Sequence, residues 1–141
     1  MTLAQLTTAL QTALAPTQTA ITNLQTAVTN LQADVTEIRG ELREVSRQSA
    51  IASNRNALAP NDPIARLPLP AGVAGPINHF PQSLYALQHI SNAHVSGILA
   101  QYGLAVAVSP ADGNATQVLR LNRNTLSRHL RVGIPPHDVV P

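Results

Sequence analysis

Ile21, Leu24, Val28, Leu31, Val35, Ile38, Leu42 and Val45 recur at strictly alternating three- and four-residue steps. This is an uninterrupted a/d seam, and a lone helix carrying it leaves one apolar stripe in water. The spacing therefore predicts an oligomer before it predicts any chemistry. Extended backwards, the register places Leu3, Leu10 and Thr17 at d and Thr7 and Leu14 at a. Eleven of the thirteen a/d positions from Leu3 to Val45 are apolar and the other two are threonine, so the stripe reaches almost to the first residue. Pro16 lies inside this register, and proline removes a helical hydrogen bond and clashes with the preceding turn. The expectation is a firm helix over 16–48, roughly 50 Å long, with a separate or frayed helix over 2–14.

Length and composition set the frame around this helix. A chain of 141 residues holds one domain, or a stalk and one small domain. The three aromatic residues, Phe80, Tyr85 and Tyr102, fall within one window, which is where a globular core is expected. The first 50 residues are mostly Thr, Ala, Gln, Asn and evenly spaced Leu, and form no globular core alone. Cysteine is absent, which excludes disulfides and thiolate metal sites. Lysine is absent too, so all nine basic residues are arginine, at a net charge of only +2. Coding bias explains that choice at least as well as selection for guanidinium chemistry. No apolar run approaches the roughly 20 residues of a membrane span. The N-terminus lacks the early positive charge of a signal peptide, and no arginine precedes Arg39, so a cytoplasmic protein without membrane partners is expected.

The chain divides on this reading into a coiled-coil stalk (1–49), a proline-rich arm or linker (50–82), a small α-rich module (83–134) and a tail (135–141). Pro60, Pro63, Pro68, Pro70, Pro76 and Pro81 exclude a long helix from the arm. Ile64, Leu67, Leu69, Val73, Ile77 and Phe80 make it more apolar than a solvated linker, so it is expected to pack, reaching across to a neighbouring subunit. If that contact is head-to-tail and does not close, filaments follow. In the module, Ser83 and Ser91 or Asn92 are expected to cap helices over 84–90 and 93–102, the second closed by Gly103. A β-hairpin is expected from 104–108 and 116–121 around Pro110-Ala111-Asp112-Gly113, then a last helix over 125–131 capped by Asn122 or Asn124 and closed by Gly133. The fold class is thus mainly α.

Within the seam, Val or Ile at a with Leu at d favours two strands, but Ala13, Ala20 and Ala27 at g widen the stripe toward a trimer or higher order. Asp34 at g and Arg39 at the following e lie where a parallel partner pairs them, so the chains are expected to run parallel. An intramolecular hairpin hinged at Pro16 is the weaker alternative, because its first helix is too short to cover the second.

Catalytic and metal-binding patterns are missing. His89 and His94 are five apart, off a common helix face, and no H-E-x-x-H, phosphate loop or nucleophile elbow occurs. Ser83, His89 and Asp112 make a triad only by force, and Gly72-Val73-Ala74-Gly75 reads as a turn with no basic residue after it. Asn114-Ala115-Thr116 is a glycosylation sequon that matters only in an exported chain. No catalytic residue, cofactor or metal is expected.

The strongest chemical lead is basic. Arg120, Arg123, Arg128, His129 and Arg131 fall close together without an acid among them, and repeated through an oligomer they can engage nucleic-acid phosphates. The bland reading is that Arg128 and Arg131 complement the negative end of a short helix. The run from Tyr102-Gly103-Leu104 through a connector to Leu126–Leu130 resembles the helix–linker–helix SAP module, which binds DNA. Its connector is longer, and the lysine and glycine usual before the second helix are missing.

A second resemblance spans residues 24–134. A Thr/Gln/Asn-rich coiled coil, Asn54-Arg55-Asn56, His79-Phe80-Pro81, Tyr102-Gly103-Leu104 and the Arg-rich 128–133 ending in glycine occur in this order. The arrangement is similar to a group of small coiled-coil proteins of mushroom-forming (basidiomycete) fungi. That family brings no activity with it, so the resemblance implies architecture alone. The sequence thus points to a non-enzymatic, self-assembling scaffold, with an oligomeric nucleic-acid binder using Arg120, Arg123, Arg128 and Arg131 as the alternative.

Overall fold

The computed structural model describes residues 1–108 and 114–133, in which the chain is mainly helical and forms two units, Met1–Leu42 and the residues from Arg43 onward. The first helix, α1, runs Leu3–Arg55 without a break at Pro16. The expected separate helix over 2–14 is therefore corrected. The register explains the tolerance: Pro16 falls at c and Thr12, whose carbonyl loses its donor, at f. Both face away from the seam and both are exposed, so water can solvate the orphaned carbonyl.

The start of α1 is fixed by a reciprocal cap. Gln5 N–H donates to the Thr2 hydroxyl at 3.3 Å and Thr2 N–H to the Gln5 side-chain carbonyl at 2.8 Å. Along the helix, the hydroxyls of Thr7, Thr8, Thr12, Thr22, Thr26, Thr29 and Thr36 donate to the carbonyl four residues back. A threonine-rich helix thereby satisfies its hydroxyls internally. The part of α1 in the first unit is about 60 Å long at 1.5 Å per residue.

In the second unit, α1 changes character. Ala50, Ile51 and Asn54 are buried, whereas the exposed Val45 lies about 180° away at about 100° per residue. The chain beyond α1 has almost no regular structure up to residue 82, yet it is not a linker. Ile64, Leu67 and Ile77 are buried, with Leu69 and Phe80 packed beside them. These side chains are spent inside their own unit, which corrects the arm expected to reach a neighbour. The segment is pinned by Ile64 N–H to Gln82 O (3.1 Å), Leu84 N–H to Asp62 O (3.3 Å) and Tyr85 N–H to Pro60 O (2.8 Å).

Three further helices complete the unit: α2 (Leu84–His89), α3 (Asn92–Gln101) and α4 (Ala115–Leu130). Ser83 and Ser91 cap α2 and α3 as expected, accepting from Ala86 N–H and His94 N–H. Gly103, at φ +68°, closes α3. The expected hairpin is not formed, since 116–121 lie in α4 and 104–108 in no strand. Val118, Asn122, Leu126 and Leu130 are buried at four-residue steps and Leu121 is exposed, which is helical periodicity. Asn114 caps α4 in place of the expected Asn122 or Asn124, and Arg131, at φ +60°, ends it ahead of Gly133. The turn at 110–113 and the tail at 135–141 lie outside the described residues. Leu67, Leu87, Val95, Ile98, Leu99, Leu126 and Leu130 form the centre of the core.

Candidate oligomerisation seam

In the first unit nothing covers the apolar stripe of α1. Exposure runs from 45% at Ile21 and Val35 through Val28, Leu31, Ile38 and Leu42 to 65% at Leu24, and Leu3, Leu10 and Leu14 are also exposed. Val45, in the second unit, is as exposed as Leu24. All eight seam residues named from the sequence are therefore solvent-facing in a single chain. Between Val28 and Arg39 the surface dips into a shallow groove lined by Val28, Leu31 and Val35, with Gln32, Thr36 and Arg39 along its edge.

Two columns flank the stripe. Gln11, Gln18, Gln25 and Gln32 occupy e, and Ala13, Ala20 and Ala27 occupy g. No charged side chain precedes Asp34, so the N-terminal part of the seam has neither charge repulsion nor charge pairing to select a partner. The small g residues admit close helix approach and the e glutamines supply hydrogen-bonding rims.

The basic residues named from the sequence do not share one face. Arg120 and Arg128 are exposed on α4, and Arg131 is the exposed residue that ends it. Arg123 turns inward: its Nε and Nη2 donate to the Ile90 carbonyl at 3.1 and 2.7 Å, which ties α4 to the end of α2. Burial lowers the pKa of that guanidinium. Arg123 is thus a structural clamp, and the expected four-arginine surface is reduced to three.

Among the described residues the histidines fall into three ring pairs. His79 and His94 stack at 3.9 Å and 10°, and His89 stacks on Tyr85 at 4.0 Å while its Nδ1 lies 2.8 Å from the Tyr85 carbonyl. Nitrogen lone pairs lie in the ring plane, so face-to-face imidazoles do not converge on one ion. Among the described residues no group of three or more His, Asp or Glu side chains is placed to hold a metal. The third pair, His129 against Tyr102 at 4.5 Å and 52°, lies deeper. The Tyr102 hydroxyl donates to Leu67 O at 2.9 Å, and burial pushes its pKa up to about 12 against the opposing field of Arg66. Burial, then Arg47 and Arg131, lower the pKa of His129, whose Nε2 is buried without a partner among the described residues.

The sequence does not show that Asn54 and Asn122 are buried. The Asn54 amide donates to Ala65 O (2.9 Å) and Leu130 O (2.8 Å) and accepts from Ala65 N–H (2.6 Å). The Asn122 amide accepts from Ala107 N–H (2.7 Å) and donates to Ala107 O (3.1 Å), acting as the strand neighbour that 104–108 lacks. Their position one helical turn from apolar core residues is the sole sequence signal, and it does not distinguish them from surface asparagines.

No protein-family model matches this chain, and comparison with curated proteins and with solved structures finds no match.

Proposed function

We propose that the chain is a non-enzymatic scaffold that assembles with parallel copies of itself, as a trimer or larger bundle, through the seam of α1. The observation that supports this is the uninterrupted exposed stripe from Ile21 to Val45. A seam side chain that goes from half-exposed to covered contributes roughly 1–2 kcal/mol. An isolated helix is marginal in water, so contacts along such a stripe are what hold a long helix of this kind together. Asp34 at g and Arg39 at e favour the parallel arrangement, though an exposed pair contributes only about 0–1 kcal/mol. The alanines at g favour more than two chains.

Multi-angle light scattering tests the proposal. The expected mass is three or more times 14.9 kDa and changes little between low and high salt, because most of the seam is uncharged. Replacing Leu31 and Val35 together by glutamate should reduce it to that of one chain. A monodisperse monomer of the unaltered protein at micromolar concentration overturns the reading.

A further inference from the structure

A basic cluster that sequence spacing does not reveal forms where three segments of the second unit meet. The buried Asn54 amide binds both Ala65 O and Leu130 O, so the next residues, Arg66 and Arg131, leave from either side of one hydrogen-bonded node. Both are exposed. Arg47 lies two turns before Asn54 on the same side of α1, with its side chain 42% exposed. The Tyr102–His129 ring pair sits among them: Tyr102 is anchored to Leu67, the residue after Arg66, and His129 lies two residues before Arg131.

We propose that Arg47, Arg66 and Arg131, grouped around the Tyr102–His129 pair, form a binding site for a phosphate dianion, free or carried as a monoester. The charge balance supports this ligand. Glu44, 3.5 Å from Arg47, is the one acid paired with these arginines among the described residues, so three positive charges against one negative leave a net of two. Asp62, the acid nearest in sequence to Arg66, turns its Oδ2 to the Leu58 and Ala59 N–H groups at 2.7 Å and forms no ion pair with Arg66 among the described residues. A phosphate monoester carries about −1.5 to −2 at neutral pH, and guanidinium forks match its oxygens in pairs, whereas a carboxylate brings half that charge. Among the described residues the buried Nε2 of His129 has no partner, and its burial, together with the field of Arg47 and Arg131, disfavours its protonation. A bound dianion cancels the net charge of the cluster, so binding raises the His129 pKa from its lowered value.

The test is a calorimetric titration of the full chain with inorganic phosphate at neutral pH, against acetate at matched ionic strength. The His129 ring resonance is followed by NMR in parallel. Saturable binding at millimolar phosphate or tighter is expected, with the His129 titration moved to higher pH. R66Q and R131Q should each weaken binding about tenfold, and R120Q, about 16 Å from Arg131 along the axis of α4, should not. A nucleoside monophosphate arm separates the sources: equal affinity means that phosphate alone is read, tighter affinity that a carrier is read with it. An equal response to acetate overturns the proposal, as does an unmoved His129. It also fails if R66Q and R131Q lower stability and leave the phosphate response intact, since these arginines then serve the fold alone. None of these readouts depends on assembly, so failure here and failure of the scaffold reading are distinguishable.

Discussion

The two units use the same kinds of aliphatic residue to opposite ends. In Met1–Leu42 every residue is exposed, and the hydrogen bonds are those of one helix with its threonines and its N-terminal cap. In the second unit, leucines and isoleucines from α1, the proline-rich segment and α2–α4 close over one another, and two asparagines are wholly buried. The difference teaches where stability comes from. The first unit draws on the hydrogen bonds of a single helix, whereas the second unit draws on packing contacts between distant segments of the chain.

The contrast can be broken first at Asn54. N54A removes three hydrogen bonds and strands two carbonyls and an N–H in the interior, which costs about 3 kcal/mol. Denaturant unfolding followed by the tyrosine signal should report this loss, while the mass in solution stays unchanged. A change in the opposite direction is expected at Pro16. P16A restores the hydrogen bond to the Thr12 carbonyl at an exposed helix position and should stabilise α1 by about 1–3 kcal/mol, read as a rise in the melting temperature of the helical signal.

The smallest effect concerns pH and belongs to the second unit alone. Burial and the neighbouring Arg47 and Arg131 hold the pKa of His129 below its ordinary 6.5, so the unfolded chain takes up the proton more readily than the folded one. The contribution of His129 to stability is complete above pH 6.5 and is lost as pH falls through the folded value. The denaturant midpoint should therefore drop between pH 7.5 and 5, and H129Q should flatten that dependence. Because the ring is partly exposed, solvent screening keeps the drop modest.

The seam was legible because a two-residue-type pattern at a fixed step is one-dimensional information. The serine caps of α2 and α3 and the glycine after α3 were legible for the same reason, each being a local rule about one backbone turn. The interruption expected at Pro16 was a local rule overruled by its setting, since the lost hydrogen bond faces solvent. The segment 116–121 suggests a returning strand because the turn signal Pro110-Ala111-Asp112-Gly113 precedes it, and only the burial of Val118 with Asn122 and Leu126 selects the helix. The proline-rich segment was read as packing, but its partner was not legible.

The sequence by itself determined a long helix with an apolar stripe and a mainly helical remainder, because periodicity, caps and prolines act over a few residues. Tertiary structure alone decided that the proline-rich segment folds back into its own unit, that Arg123 serves a carbonyl, and that Ala65 and Leu130 meet at Asn54. Those outcomes join residues up to 76 positions apart, and no local rule carries information across that distance.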